Sequence, residues 1–210
     1  MNNPAAHRKR VKTYNLPGHA HFLTFSCYRR MPLLTNETWR VWLADAVRAT
    51  CDAHQIALWA YVFMPEHVHL LLKPRLERYD ISKYRQALKQ GLSQRVIHAL
   101  KAARSPLLER LKVQERPGKW CCRFWQEGPG HDKNIWSIDK AVEKARYCHR
   151  NPVARELVND PERWHWSSFR WLEQGRRDGE PLRLDPWDER LSGESAPALA
   201  ANDRGQWHHR

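Results

Sequence analysis

Two hydrophobic periods alternate along this chain. "HAHFLTFSCY", His19 to Tyr28, concentrates aromatic and β-branched residues and predicts a strand. "TNETWRVWLADAVRATCDAH" then repeats apolar residues at Trp39, Trp42, Leu43, Ala46 and Val47, the spacing of one helical face, with Asn36 as its N-cap. "IALWAYVFM" and "HVHLLLK" are strand patterns separated by Pro65 and Glu66, too short a junction for a crossover, so they pair as an antiparallel hairpin. A helix is predicted over Ile81 to Arg104, with Leu88, Leu92, Val96 and Leu100 in register and basic residues between them. "KVQERPGKWCCRFWQEGPGHDKN" reads as a loop holding one short strand around Arg123 to Gln126. "SIDKAVEKARYCHR", capped by Ser137, predicts a last helix running to about Arg150.

This order is βαββαβ with an added helix, an α+β chain of ferredoxin-like arrangement. Two helices should cover one face of an antiparallel sheet and leave the other free to host a site. One domain is expected over residues 17–175. A basic arm, residues 1–16 with "HRKR" at His7 to Arg10, precedes it, and a poorly ordered tail rich in Gly, Pro, Ser, Ala and charge, residues 176–210, follows.

Lysine and arginine total 36 against 23 acidic residues, a formal charge of +13, which favours a polyanionic partner and nucleic acid first. An anionic membrane surface would suit the charge, but there is no apolar run near 18 residues, no signal-peptide pattern and no lipidation motif. The expectation is a soluble cytoplasmic protein associated with the nucleoid. The five cysteines, Cys27, Cys51, Cys121, Cys122 and Cys148, lack C-x-x-C spacing and read as reduced thiols, with adjacent Cys121 and Cys122 the alternative as zinc ligands.

Two pieces of candidate chemistry stand out. In "FMPEHVHLLLKP", His67 and His69 lie two apart on a strand and emerge on one face, about 7 Å apart at the Cα atoms. Val68, Leu70 and Leu72 point the opposite way, into the core. Two imidazoles can converge on one cation, although surface decoration and satisfied core polar groups are the competing readings, and a third ligand must come from elsewhere. In "RYCHRNPV", Tyr147 and Asn151 are i and i+4 on a helix, about 6 Å apart. Pro152 should end or bend the helix and free the Asn151 amide, a hard ligand for magnesium or manganese. A phenol beside such an ion is a suitable nucleophile for a phosphodiester; against that, Tyr147 reads as an aromatic on a helix face and Asn151 as a C-terminal cap.

"PEHVHLLL" followed by "YCHRNPVARELV" resembles the single-tyrosine HUH (His-hydrophobic-His) transposases of the IS200-like group, and most closely the REP-associated tyrosine transposases. "FWQEGPGHDKNIW" and "WHWSSFRW" look like two further blocks of that group, so the resemblance spans about Leu16 to Leu172. It implies a metal-dependent enzyme that cuts single-stranded DNA at or near imperfect hairpins, joins its tyrosine to the 5′ phosphate and releases a 3′ hydroxyl. Carried over, His67 and His69 match the histidine pair, Tyr147 the nucleophile and Asn151 the polar metal ligand, with Mg²⁺ or Mn²⁺ as cofactor. The family pattern often reads Tyr-Ile-His-x-Asn-Pro-Val, and Cys148 replaces its isoleucine here. His149 is left as structural or DNA-contacting, and Glu66 as shaping the turn.

Holding one strand requires cations for phosphates and aromatic faces for unstacked bases. Arg8, Lys9 and Arg10 on the arm, Lys89, Arg95 and Lys101 on the long helix, and Arg123 beyond it are the candidates. Trp120, Trp125, Trp164 and Trp166 read individually as core or as seals between tail and domain. A catalytically inactive hairpin-binding protein and a zinc-stabilised RNA-binding module are the alternatives to an enzyme. The chain is expected to be a monomer, or else a homodimer.

Overall fold

The computed structural model describes residues 13–187 and 191 of the chain, so Arg8, Lys9 and Arg10 lie outside the described residues. A four-stranded sheet forms in the order β2-β3-β1-β6, with β1 Ala20–Ser26, β2 Ile56–Phe63, β3 His67–Pro74 and β6 His131–Ile135. Each neighbouring pair runs antiparallel. Helices α1 (Glu37–Ala53) and α2 (Ile81–Ala102) complete the ferredoxin-like arrangement, and α4 (Ile138–Ala154) is the added helix. Asn36 caps α1 by accepting from the Trp39 amide, and Ser137 caps α4 by accepting from that of Lys140, as their sequence positions require.

The pleat sorts the strands into two layers. Leu23 and Phe25 of β1, Tyr61 and Phe63 of β2, and Val68, Leu70 and Leu72 of β3 join Leu43 and Val47 of α1 and Leu88, Leu92 and Val96 of α2 in one core. Phe22, Trp59, Val62 and Leu71 face the other way and meet Ile138, Ala141, Ala145 and Cys148 of α4. A register shift between Leu58 and Ala60 changes the phase of β2, so Leu58 and Tyr61 share a core although three residues separate them. The second face is therefore partly roofed by α4 rather than open.

Four sequence expectations need correction. The fourth sheet strand is β6 at His131–Ile135, not the Arg123–Gln126 segment, which forms only a single bridge between Cys27 and Trp125. β6 is mostly polar because a buried aspartate anchors it: Asp132 Oδ1 accepts from His21 Nδ1 at 2.8 Å, and Arg85 lies 3.7 Å from its other oxygen. The segment read as loop contains a short helix α3 (Leu107–Leu111) and a ribbon of its own, β4 (Lys112–Arg116) with β5 (Lys119–Cys122). α4 does not stop at Arg150 but passes through Asn151 and Pro152 to Ala154. Pro152 sits in the last turn, where its missing N–H costs one backbone bond and its buried ring packs.

The tail is the fourth. Beyond the short helix α5 (Phe169–Gln174), Leu182 and Leu184 are buried in the α1/α2 core, so ordered packing extends past residue 176. Leu58 gives its amide to Asp185 Oδ2 at 2.8 Å and accepts the Asp185 amide at 2.9 Å, while Trp187 stacks on Trp59 with ring centroids 5.1 Å apart. With Trp166 and Ser168 bonded to Phe63 and Tyr61, these contacts cover the exposed edge of β2. Asp185→Ala should lower stability by about 1–3 kcal/mol, since it orphans the Leu58 amide and the Arg48 and Arg75 contacts. Truncation after Gly175 should lower it further; thermal denaturation checks both, and an unchanged midpoint in the truncated chain would contradict the packed tail.

Candidate functional site

Residues 67 and 69 leave β3 on the face toward α4, and their rings meet edge to face, with centroids 4.7 Å apart. His67 Nε2 and His69 Nε2 stand 2.9 Å from each other. Each ring is aimed from behind. Glu66 Oε1 lies 3.1 Å from His67 Nδ1, and Thr24 Oγ1, directly across the sheet from His69, lies 2.8 Å from His69 Nδ1. Phe22 stacks on His69 at 5.5 Å, nearly parallel.

These partners dictate the protons. An ionised Glu66 only accepts, so His67 carries its hydrogen on Nδ1 and presents a lone pair at Nε2. The Thr24 hydroxyl can give or take, so His69 has two states. With its proton on Nε2 it donates to His67; with its proton on Nδ1, both Nε2 lone pairs converge on one point. Burial is the main cause that holds both imidazoles below their usual proton affinity, His69 down to about 3, so both are neutral and able to ligate at pH 7. For Glu66, burial works upward, but His67 and Arg155 outweigh it and leave the carboxyl below its ordinary range.

The set fits a divalent ion. Two ligands about 2.1 Å from one ion and at right angles to each other lie about 3.0 Å apart, close to the observed nitrogen separation. Among the described residues no group of three His, Cys, Asp or Glu could hold a metal. Further oxygens would come from the Asn151 amide, close enough to His69 to act on its proton affinity, from a bound phosphate and from water.

α4 brings the remaining pieces. The Tyr147 ring stands edge-on to His69 with centroids 6.1 Å apart, and at the same distance from Phe22. The residue is 53% exposed. Lys144 Nζ lies 5.5 Å from the centre of the same ring. One turn on, Asn151 Nδ2 donates to the Tyr147 carbonyl at 2.9 Å, which fixes the amide and leaves its oxygen outside that bond. His67, His69, Tyr147 and Asn151 are thus brought together on one face.

Several other expectations change. Glu66 does more than shape a turn: besides aiming His67, it accepts from Arg155 Nη1 at 2.7 Å and from Arg30 Nη2 at 3.4 Å, tying the end of the tyrosine helix to the histidine strand. The adjacency in "PEHVH" was the available signal; Thr24, Arg30 and Arg155 were invisible without the cross-strand register. Lys89 is not a free phosphate contact, because its ammonium is bound to the carbonyls of Gln126 and Gly128 at 3.0 Å each, and burial lowers its pKa to about 8. Arg123 pairs with Glu127, and Arg95 lies over Trp42 and 3.5 Å from Asp45. Lys101 is exposed at the end of α2. His149 is structural: buried, it bonds Ser168 Oγ at 2.8 Å, and Ser168 in turn holds both backbone groups of Tyr61. All five cysteines are free thiols.

The family model "Transposase IS200 like" matches residues 15–128, more than half of the chain. The chain belongs to this transposase family. The matched span includes His67 and His69 and ends before Tyr147 and Asn151, so the tyrosine helix of this IS200-like transposase stands on geometry alone. A REP-associated tyrosine transposase bound to a REP hairpin is similar in fold at 18% identity and a TM-score of 0.62, covering 93% of this chain and 98% of that one. A Deinococcus radiodurans R1 structure, 20% identical over 70% of this chain and 95% of its own, has a TM-score of 0.41, too low to carry weight. No curated protein matches the chain. No helix among the described residues is long and apolar enough to cross a membrane.

Two outcomes follow from this geometry. Glu66→Ala should weaken Mn²⁺ binding roughly 10- to 100-fold if His67 ligates, since the carboxylate aims that imidazole; calorimetric titration reads it, and an unchanged affinity would contradict the orienting role. Burial lowers the His149 pKa from 6.5 to about 3. Between those values the unfolded chain binds a proton that the folded chain does not, so stability falls as pH drops below 6.5, by roughly 1.4 kcal/mol per pH unit for each such histidine. His149→Gln should make that slope shallower by about this amount, as measured by denaturant unfolding at several pH values.

Proposed function

We propose that this IS200-like transposase is a divalent-metal-dependent nuclease and strand transferase that cuts single-stranded DNA at or near hairpins through a covalent 5′-phosphotyrosine. The observation that carries the reading is the convergence of His67 Nε2 and His69 Nε2 at 2.9 Å, with the exposed Tyr147 ring 6.1 Å from His69 on the same face. His67, His69 and the Asn151 amide would hold Mg²⁺ or Mn²⁺, which when bound polarises a nonbridging phosphate oxygen and offsets developing charge.

The chain's own groups supply the rest. Tyr147 Oη attacks phosphorus, forming one P–O bond as the bond to the 3′ oxygen breaks. The phenolic proton passes to solvent and the departing 3′ oxygen takes one up, so no proton is gained or lost overall. One phosphodiester replaces another, so the free 3′ hydroxyl can later attack the phosphotyrosine and rejoin strands without an external energy source. α4 holds the attacking oxygen in place before the reaction, which lowers the entropic part of the barrier. Arg30 and Arg155, whose side chains are 64% and 50% exposed, stand beside Glu66 at the rim, where they can meet flanking phosphates.

The fold shared with a REP-associated tyrosine transposase solved on a REP hairpin supports hairpin DNA as the partner class. Labelled hairpin-flanked single-stranded DNA, incubated with the protein and Mg²⁺ or Mn²⁺, should yield a protein–DNA adduct that survives denaturation. Tyr147→Phe should abolish the adduct while leaving DNA binding within a few-fold, and His69→Ala should reduce it at least 100-fold. An adduct undiminished in Tyr147→Phe would refute the nucleophile; wild-type binding with no adduct under any divalent ion would favour a hairpin-binding protein without catalysis.

A further inference from the structure

The segment "KWCCRFW" holds two tryptophans with opposite fates. Trp125 is buried, its indole nitrogen donating to the Lys89 carbonyl at 3.1 Å. Trp120 is 56% exposed, more than any other large hydrophobic side chain among the described residues. It sits on the β4–β5 ribbon, which forms its own two-stranded sheet apart from the main one. Packing does not explain its exposure, since the ring joins neither core.

The register shows what surrounds it. Gln114 pairs with Trp120 and Lys112 with Cys122, so Lys112, Gln114 and Trp120 share one face of the ribbon, and after the bulge Arg116 pairs with Lys119 at the tip. Lys112 Nζ lies 5.6 Å from the centre of the indole; it also meets Glu109 Oε2 at 3.4 Å, in an exposed ion pair that a phosphate can replace. A flat aromatic surface, a cation at its margin and an amide across the strand match an unstacked nucleobase, its phosphate and its polar edge. The base of the ribbon packs on the α1/α2 side, where Val113 and Cys122 meet that core, but the segment leaving it reaches the end of the sheet that carries His67. Two residues past β5's Cys122, the Phe124 carbonyl accepts from the Tyr28 amide at 2.8 Å, and the neighbouring Cys27 amide donates to the Glu66 carbonyl at 2.8 Å. The segment that leaves the ribbon is thus joined, through Tyr28 and Cys27, to the residue that aims His67.

We propose that the β4–β5 ribbon is a DNA-holding arm in which Trp120 stacks on an unpaired base of the single strand flanking the hairpin, with Lys112 at that nucleotide's phosphate. The proposal rests on the reading that the chain acts on hairpin DNA. The positive balance of the ribbon, with Lys112, Arg116 and Lys119 against Glu115, and the absence of a second aromatic on it favour one base over a second copy of the chain.

The test uses fluorescence anisotropy of the full chain on two probes, a hairpin with a single-stranded flank and the same hairpin without it. Trp120→Ala should weaken binding of the flanked probe by about 5- to 150-fold, the range of one lost base–aromatic stack, and leave the flankless probe within about two-fold. Trp120→Phe, which keeps an aromatic face, should recover most of the loss. A thermal midpoint unchanged in Trp120→Ala excludes unfolding as the cause. Equal losses on both probes, or no loss on either, would overturn the arm; so would a change in oligomeric state with DNA binding intact, which would make the ribbon a contact between copies. Wild-type protein that binds neither probe would overturn the hairpin reading and the arm with it, whereas the other contrary outcomes sink the arm alone.

Discussion

Side chains two apart on a strand must leave the sheet on the same side, and the site depends on that constraint being enforced in β3. Val68, Leu70 and Leu72 are wholly buried against α1 and α2, so β3 cannot slip by one residue without turning three aliphatic side chains toward α4 and both imidazoles into the apolar core. The hydrophobic effect acting on one face thereby fixes chemistry on the other. The same logic places Thr24, which pairs across the sheet with His69 and sets its ring.

Burial also sets the charge state. The energetic cost of an imidazolium in this environment keeps both histidines neutral, which is the form a metal ligand requires. Glu66 adds a mechanical role. Its carboxylate binds His67, the first residue of β3, and Arg155 just past the end of α4, so one buried charge joins the histidine pair to the helix that carries Tyr147 and Asn151. A buried carboxylate with cationic and imidazole partners is strongly directional, and losing any one partner would leave it poorly compensated. Tyr147, Asn151 and the two imidazoles are consequently set relative to one another by contacts that cross between elements, not by either element alone.

Much of this was legible in the chain because it follows from local periodicity. The β2–β3 hairpin, α1 with its Asn36 cap, α2, and α4 with its Ser137 cap were readable from apolar spacing and polar punctuation. What escaped was set by tertiary contacts. β6 reads "HDKNI", with no apolar alternation, because a buried Asp132–His21 bond rather than hydrophobic burial docks it. The β4–β5 ribbon is mostly exposed, so no hydrophobic pattern marks it. α4 survives Pro152 because the ring falls in the last turn and is buried. The tail composition suggested disorder, yet Leu182, Leu184, Asp185 and Trp187 dock its first part against the domain. Lys89 looked like a phosphate contact because a sequence shows charge and not whether two carbonyls already hold it.

The central claim is spatial: the Tyr147 phenol and the imidazole pair face the same point. Fluorotyrosine incorporation followed by ¹⁹F NMR during Mn²⁺ titration measures this directly, with the Tyr147 resonance identified from its loss in Tyr147→Phe. Mn²⁺ should broaden that resonance first and most, while those of Tyr61 and Tyr84, in the core on the opposite side of the sheet, stay sharper, and His67→Ala/His69→Ala should abolish the selectivity. A Tyr147 resonance no broader than the core tyrosines at saturating Mn²⁺ would contradict the account.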